Sequence, residues 1–134
     1  MEQTNTHEII ASGVERGVAC IVTKVPGGWY CVYWGVPQAH PLHGQLPRLW
    51  EKVLRISLTY DSGGTRTGNK QPLPVFATLD THPERPRWWV GIDTTNWNIP
   101  HMAVERAARF IAWGVCKELA DYAVRAGVEG EAQP

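Results

Sequence analysis

Residues 87–97, RWWVGIDTTNW, form the stretch around which the rest of the chain is organised. An apolar run ends there at a carboxylate, Asp93, and a polar exit leads on to a long helical pattern. A short apolar run with such boundaries is typical of a buried strand. Alternation along a strand places Trp88, Val90 and Ile92 on one face and Trp89 and Asp93 on the other. The stretch predicts a central strand whose exit, residues 93–97, walls a binding surface.

Four further segments are predicted to be strands. Residues 18–25 and 29–36 are apolar and flank Pro26-Gly27-Gly28, which predicts a hairpin with a glycine turn. Residues 53–60 alternate between apolar and polar, and residues 75–80 form another short run. Between the second and third of these strands, Pro47 opens a short helix over residues 48–52, because proline is tolerated in a first helical turn.

The strongest helical pattern runs from about His101 to Arg125 and ends before Gly127. One helical face carries Val104, Ala108, Ile111, Val115, Leu119 and Tyr122. The chain therefore predicts an α+β fold: a mainly antiparallel, twisted sheet of about five strands, the long C-terminal helix packed on it, and the short helix between strands 2 and 3. Its 134 residues predict a single domain, with a frayed start to about residue 12 and a disordered tail from about residue 127.

The net charge, the length of the apolar runs and the cysteine count indicate which kinds of binding partner and which cellular compartment to expect. The net charge is zero, which argues against non-specific nucleic-acid binding and against a polybasic membrane surface. No apolar run approaches the ~20 residues that span a bilayer, so no membrane association is expected. Near-zero net charge favours self-association more than a strong net charge would, which leaves a homo-oligomer open. Three cysteines without a C-x-x-C pair or a secretory signal predict buried, reduced thiols in a cytoplasm.

Seven tryptophans are more than a core of this size is expected to hold. Surplus indoles suit stacking on a planar ligand, and arginine suits its phosphate. The predicted ligand-binding side chains are Trp89, Trp97, Arg66 and Arg87, with Asp93 and Asn96 beside them. The same set equally suits a protein partner.

The glycine-rich connection, residues 61–74, is not a phosphate-binding P-loop. Gly63 and Gly68 have the G-x4-G spacing, but Asn69 follows in place of lysine and no helix begins there. A lid or a solvated loop is expected instead. Arg66 and Lys70 would meet an anion if that loop closed.

His40 and His43 also belong to the predicted site. With Asp93, His82 or His101 they would form a metal site, but nothing fixes a third ligand. Histidines that cap a turn or bond to backbone are favoured, so no metal or cofactor is expected. For Asp93, a cap of the following turn is slightly favoured over a site role. No nucleophile elbow or carboxylate pair stands out, which argues against an enzyme.

Three segments together resemble a family of small uncharacterised phage and prophage proteins. They are residues 40–44 (HPLHG), 57–60 (SLTY) and 88–93 (WWVGID). Members of that family carry G-H-P-L-Y-G, then H-G-G-L-T-Y-S, then W-W-F-G-F-D-C-A-H. Here the family's H-G-G is Arg55-Ile56-Ser57, and its final histidine is Asn96. The resemblance implies a phage origin and the cytoplasm of an infected bacterium, and the two missing histidines favour binding over catalysis.

The leading hypothesis is a phage accessory protein that sequesters a nucleotide-like defence signal. A second hypothesis is a protein–protein module that inhibits a host enzyme. A third is a small metal-dependent hydrolase that uses His40, His43 and Asp93.

Overall fold

The computed structural model describes residues 7–80, 82, 84–95, 97 and 100–127. They form a five-stranded antiparallel sheet in the order β1-β2-β3-β5-β4, with two α-helices. The elements are β1 (Glu8–Glu15), β2 (Val18–Lys24), β3 (Tyr30–Val36), α1 (Pro47–Leu54), β4 (Tyr60–Asp61), β5 (Trp88–Asp93) and α2 (His101–Arg125). The α+β class, the five-stranded antiparallel sheet and the packed C-terminal helix are confirmed.

Each face of the sheet has its own apolar cluster. Helix α2 covers one face, where Trp34, Val90 and Ile92 are buried together with the inward residues of the helix. The connection from β4 to β5 covers the other face and buries Phe76 against Trp89. The alternation predicted for β5 is therefore correct, and β3 alternates in the same way, because successive large side chains of each strand enter different clusters. A central strand buried on both sides reads as a nearly continuous apolar run.

Glycines make room for aromatic rings between β3 and β5. The two strands pair Gly35 with Trp89 and Tyr33 with Gly91. A Cβ atom on Gly35 would lie 2.6 Å from the Trp89 ring, and one on Gly91 would overlap the Tyr33 ring. Each large ring thus lies across its partner glycine, which explains why glycine interrupts both apolar runs.

Part of the N-terminal segment predicted to fray is a strand, and residues 1–6 of that segment lie outside the described residues. Residues 8–12 were expected to fray, but they belong to β1, which pairs with β2 through a register shift between Ile9 and Ala11. The two strands join through Arg16-Gly17, where both φ angles are positive, 49° and 86°. Positive φ at both positions is the type I′ geometry that suits a two-residue hairpin loop. Arginine is not a typical residue for that turn, so the hairpin signal was weak.

Residues 53–60 were wrongly predicted to be a strand. Helix α1 continues to Leu54 and ends at Arg55 in the left-handed conformation, with φ 60° and ψ 40°. Only Tyr60 and Asp61 pair as β4, yet burial still alternates from Leu54 to Tyr60 as predicted. Alternation therefore reported which side chains face inward, and not whether the backbone is hydrogen-bonded to a neighbouring strand.

Residues 75–80 were also wrongly predicted to be a strand. Pro74–Thr78 forms a 3-10 helix that begins at its proline, and Phe76 is its buried residue. Proline fits the first turn of such a helix but removes a donor from a strand. The segment closes the second face of the sheet.

Helix α2 has the predicted bounds, and Val104, Ala108, Val115 and Leu119 are buried on its inner face. Gly127 follows it at φ 80°, and the predicted tail beyond that lies outside the described residues. All three cysteines are buried and unpaired, as predicted. No helix in the described part of the chain has the length and apolar character needed to cross a membrane.

Candidate functional site

The side chains predicted to form one site are divided between the two ends of β5. Arg87 lies at its start, near the turn that carries His40 and His43, whereas Asp93 and Trp97 lie at its exit. Six strand residues separate the two ends by about 17 Å, at roughly 3.3 Å per residue. Asn96 lies outside the described residues.

Trp89 is a core residue. It is only 2 % exposed, and its ring lies between Gly35 of the sheet and Phe76. Its indole Nε1–H donates to Asp80 Oδ2 at 2.9 Å. Both faces of the ring and its polar atom are therefore occupied. The stacking role predicted for Trp89 does not fit this geometry.

The two predicted phosphate-binding arginines hold the connection between β4 and β5. Arg66 Nη2 donates to Glu51 Oε1 at 2.6 Å, and its backbone N–H donates to Asp61 Oδ1 at 2.8 Å. Arg87 Nη1 donates to the Leu79 carbonyl at 2.6 Å and lies 3.7 Å from Asp80 Oδ1. These contacts fix the connection against α1 and the sheet. Neither guanidinium lies beside the tryptophans at the β5 exit.

His40 joins its turn to α2. The ring is 6 % exposed, and its Nδ1 accepts the Leu42 N–H at 3.1 Å. Because Nδ1 is the acceptor, Nε2 carries the proton and donates to the Leu119 carbonyl at 2.8 Å. Burial lowers the pKa of His40 below its ordinary value. The favoured interpretation, a histidine bonded to backbone, is confirmed.

His43 is half-buried, and its Nε2 lies 3.3 Å from the Pro86 carbonyl. Its ring centroid is 5.7 Å from that of Trp88. Within the part of the chain that the structure describes, no three His, Cys, Asp or Glu side chains come together as a metal site.

Asp93 caps the turn at the β5 exit, as favoured from the sequence. Its Oδ1 accepts the Thr95 N–H at 3.2 Å and the Thr95 hydroxyl at 2.6 Å. Thr94 then bonds twice to β3: its Oγ1 accepts the Tyr30 N–H, and its own N–H donates to the Tyr30 carbonyl, both at 3.0 Å. These bonds hold the exit of β5 rigidly beside the β2–β3 turn.

A groove of about 350 Å³ opens at this end of the sheet. Its lining residues are Gly27, Gly28, Trp29, Thr94, Thr95, Trp97 and Val104. Trp29 is 40 % exposed and also lines a second depression, of about 420 Å³, with His7 and Tyr33. Thr94, Thr95 and Trp97, from the β5 exit where a binding surface was predicted, are among the lining residues of this groove. Trp29 was not among the predicted site residues. The sequence feature that could have indicated its exposure is its position directly after the Gly27-Gly28 turn.

The N-terminus of α2 adjoins this groove, since Val104 is one of the lining residues. Pro100 is the N-cap and makes no side-chain capping bond, and the first turn contains no acidic residue. The exposed N–H groups of a helix start carry partial positive charge. Two partly exposed indoles and a residue of the first turn of α2 thus lie at one opening.

A second groove, of about 600 Å³, lies at the opposite end of β5. Its polar and charged lining residues are Asp80, His82, Arg85 and Arg87, and no tryptophan is among the described residues that line it. Asp80 partly neutralises Arg87 at 3.7 Å. This groove suits an anion but provides no indole for stacking.

Comparison of the chain with family models, with curated proteins and with solved structures finds no match. The site therefore rests on its own geometry.

Proposed function

We propose that this protein acts by binding a planar, anionic small molecule in the groove between Trp29 and Trp97. The observation that carries the proposal is the presence of two partly exposed indoles in one groove beside the start of α2. Indole rings stack on nucleobases irrespective of their sequence, at roughly 1–3 kcal/mol per base. An anionic group such as phosphate is favoured at a helix N-terminus.

A nucleotide-like ligand is the class that combines these two requirements. Trp29 and Trp97 would contact the base, and the first-turn N–H groups of α2 would meet the phosphate. These N–H groups take the phosphate-binding role that was predicted for Arg66 and Arg87, because the contacts of the two arginines place them away from this groove. The exposed Thr95 hydroxyl already donates to Asp93, so it stiffens the groove wall.

The resemblance to phage proteins supports a setting in an infected bacterial cytoplasm. There, sequestering a nucleotide-like defence signal would be the action of an accessory protein. The hydrolase hypothesis loses support, because both ring nitrogens of His40 bond to backbone groups. Inhibition of a host enzyme is the second candidate, since exposed Trp29 would equally anchor a protein partner.

Titration calorimetry against a panel of cyclic and linear nucleotides tests the proposal. At least one nucleotide is expected to bind, and Trp97→Ala or Trp29→Ala is expected to weaken it at least roughly tenfold, as loss of one stacked base contact implies. Trp113→Ala is the matched control, because Trp113 is similarly exposed but lies outside the groove. Absence of binding at millimolar nucleotide would contradict the small-molecule proposal, and binding to a purified host enzyme would then favour the second candidate.

A further inference from the structure

Helix α2 carries an unusual aromatic residue on its outer side. Phe110 is 81 % exposed in the middle of the helix, although its neighbours Ala108 and Ala112 are fully buried. A phenylalanine that contributes nothing to the core of its own chain is typical of an interface anchor.

A concave surface lies one helical turn from this ring. The groove between α1 and α2 has a volume of about 590 Å³. Its apolar lining comprises Val53, Leu54, Ile56, Ile111, Gly114 and Val115. A Cβ atom on Gly114 would meet nothing within 4 Å, so the helix surface is open at that point. The molecule thus presents a protruding ring and an apolar depression on the same helix.

We propose that this surface binds a second copy of the chain, with the two α2 helices antiparallel. Arg106, Phe110, Gly114 and Glu118 follow one another at four-residue spacing, which forms a single ridge along a helix. A two-fold axis at the level of residue 112 places Phe110 of each copy on Gly114 of the other. The same axis places Arg106 of each copy beside Glu118 of the other.

Shape and charge both satisfy the requirement of a two-fold interface, in which one patch must complement itself. Arg106 and Glu118 are exposed and of opposite sign, at equal distances from the axis. Glu118 lies 3.5 Å from Arg125 in its own chain, an exposed pair that is weak enough to rearrange. The zero net charge adds no long-range repulsion between copies.

This inference is independent of the proposed function, because Trp29 and Trp97 do not line the groove between the helices. Sedimentation equilibrium over roughly 5–500 µM protein tests it, the range expected for a small interface. The wild-type chain is expected to form a dimer in that range. Phe110→Ser is expected to weaken dimerisation at least ~30-fold, as loss of a central anchor does.

Two further sets of variants separate this interface from unspecific association. Gly114→Leu fills the depression and is expected to weaken dimerisation, although leucine favours the helix itself. Arg106→Glu and Glu118→Arg are each expected to weaken dimerisation. Each substitution creates two pairs of like charges across the interface, one on either side of the two-fold axis. The double variant restores opposite charges and is expected to regain most of the lost affinity.

Val14→Ser is the control, because Val14 is an exposed apolar residue outside the groove. This substitution is expected to leave dimerisation unchanged. Circular dichroism confirms that each variant is folded. The inference is overturned if the wild-type chain stays monomeric at the highest concentration. It is equally overturned if Phe110→Ser dimerises as the wild type does, or if the double charge variant shows no recovery.

Discussion

Phe76 and Trp89 stack face to face, with ring centroids 4.3 Å apart and an interplanar angle of 0°. The 3-10 helix that carries Phe76 does not pair with a strand, and this stack is one of the contacts that attach it to the sheet. Asp80 adds a hydrogen bond to the same indole at 2.9 Å. The second face of the sheet is thus closed by a short irregular segment and not by a second long helix.

Phe76→Ala is expected to lower the free energy of unfolding by about 3–5 kcal/mol, the cost of removing a buried phenylalanine. Urea unfolding followed by tryptophan fluorescence measures it. Phe110→Ala is the matched control and is expected to stay within about 0.5 kcal/mol when measured at low micromolar protein, because that ring is exposed. Equal effects of the two substitutions would show that Phe76 does not hold the second face together.

The elements that sequence predicted well are those with strong local signals. The β2–β3 hairpin has its Pro26-Gly27-Gly28 turn, and α2 has a helical apolar face bounded by Pro100 and Gly127. The strand predicted over residues 53–60 was wrong for two reasons that alternation cannot show. Glu51 accepts the Leu58 N–H, and Arg55 adopts φ 60°.

The site was less predictable than the fold because it depends on what covers each ring. Trp88, Trp89 and Trp97 are close in sequence, but only the position of Phe76 shows that Trp89 is enclosed. Trp29 is exposed for a similarly non-local reason, since the exit of β5 packs beside its turn and not over it. Tertiary arrangement therefore decides which tryptophans are available to a ligand.

His40 is expected to make folding stability depend on pH. Its folded pKa is lowered, so the native state resists a proton that the unfolded chain accepts near the ordinary value of about 6.5. The stabilisation is fully present above that value and is lost as pH falls from about 6.5 toward the lowered folded pKa. Protonation of Nδ1 would also break the bond from the Leu42 N–H.

Urea unfolding at several pH values between about 7.5 and 5 checks this expectation. His40→Leu is expected to be destabilised at pH 7.5 but to show a shallower fall in stability with decreasing pH. Burial also lowers the pKa of His7, so the variant His7→Gln measures how much of the pH dependence of stability is due to His7. A pH dependence that His40→Leu leaves intact would contradict the assignment.

Thr94 is expected to anchor the wall of the proposed binding groove. Thr94→Val removes the acceptor of the buried Tyr30 N–H and is expected to cost about 1–3 kcal/mol, the penalty for an unsatisfied buried donor. Hydrogen exchange of the Tyr30 amide should become faster, which NMR can measure directly. Thr95→Val is the control, because it removes an exposed hydroxyl and is expected to leave Tyr30 protected. Unchanged exchange at Tyr30 in Thr94→Val would show that the side-chain bond is dispensable.

The three cysteines are expected to be unreactive while the protein is folded. Cys20 and Cys116 are both fully buried. The hydrogen bond that the Cys20 thiol donates to the Cys116 sulfur favours the protonated form and, with burial, raises the pKa of Cys20. Burial also raises the pKa of Cys31. Because the thiolate is the reactive form, a disulfide reagent is expected to label none of them within minutes in buffer and all three in denaturant. Val14→Cys supplies an exposed thiol that should react at once under native conditions, which shows that the reagent is active. Rapid native labelling of Cys20 or Cys116 would mean that the layer between α2 and the sheet opens far more often than its packing implies.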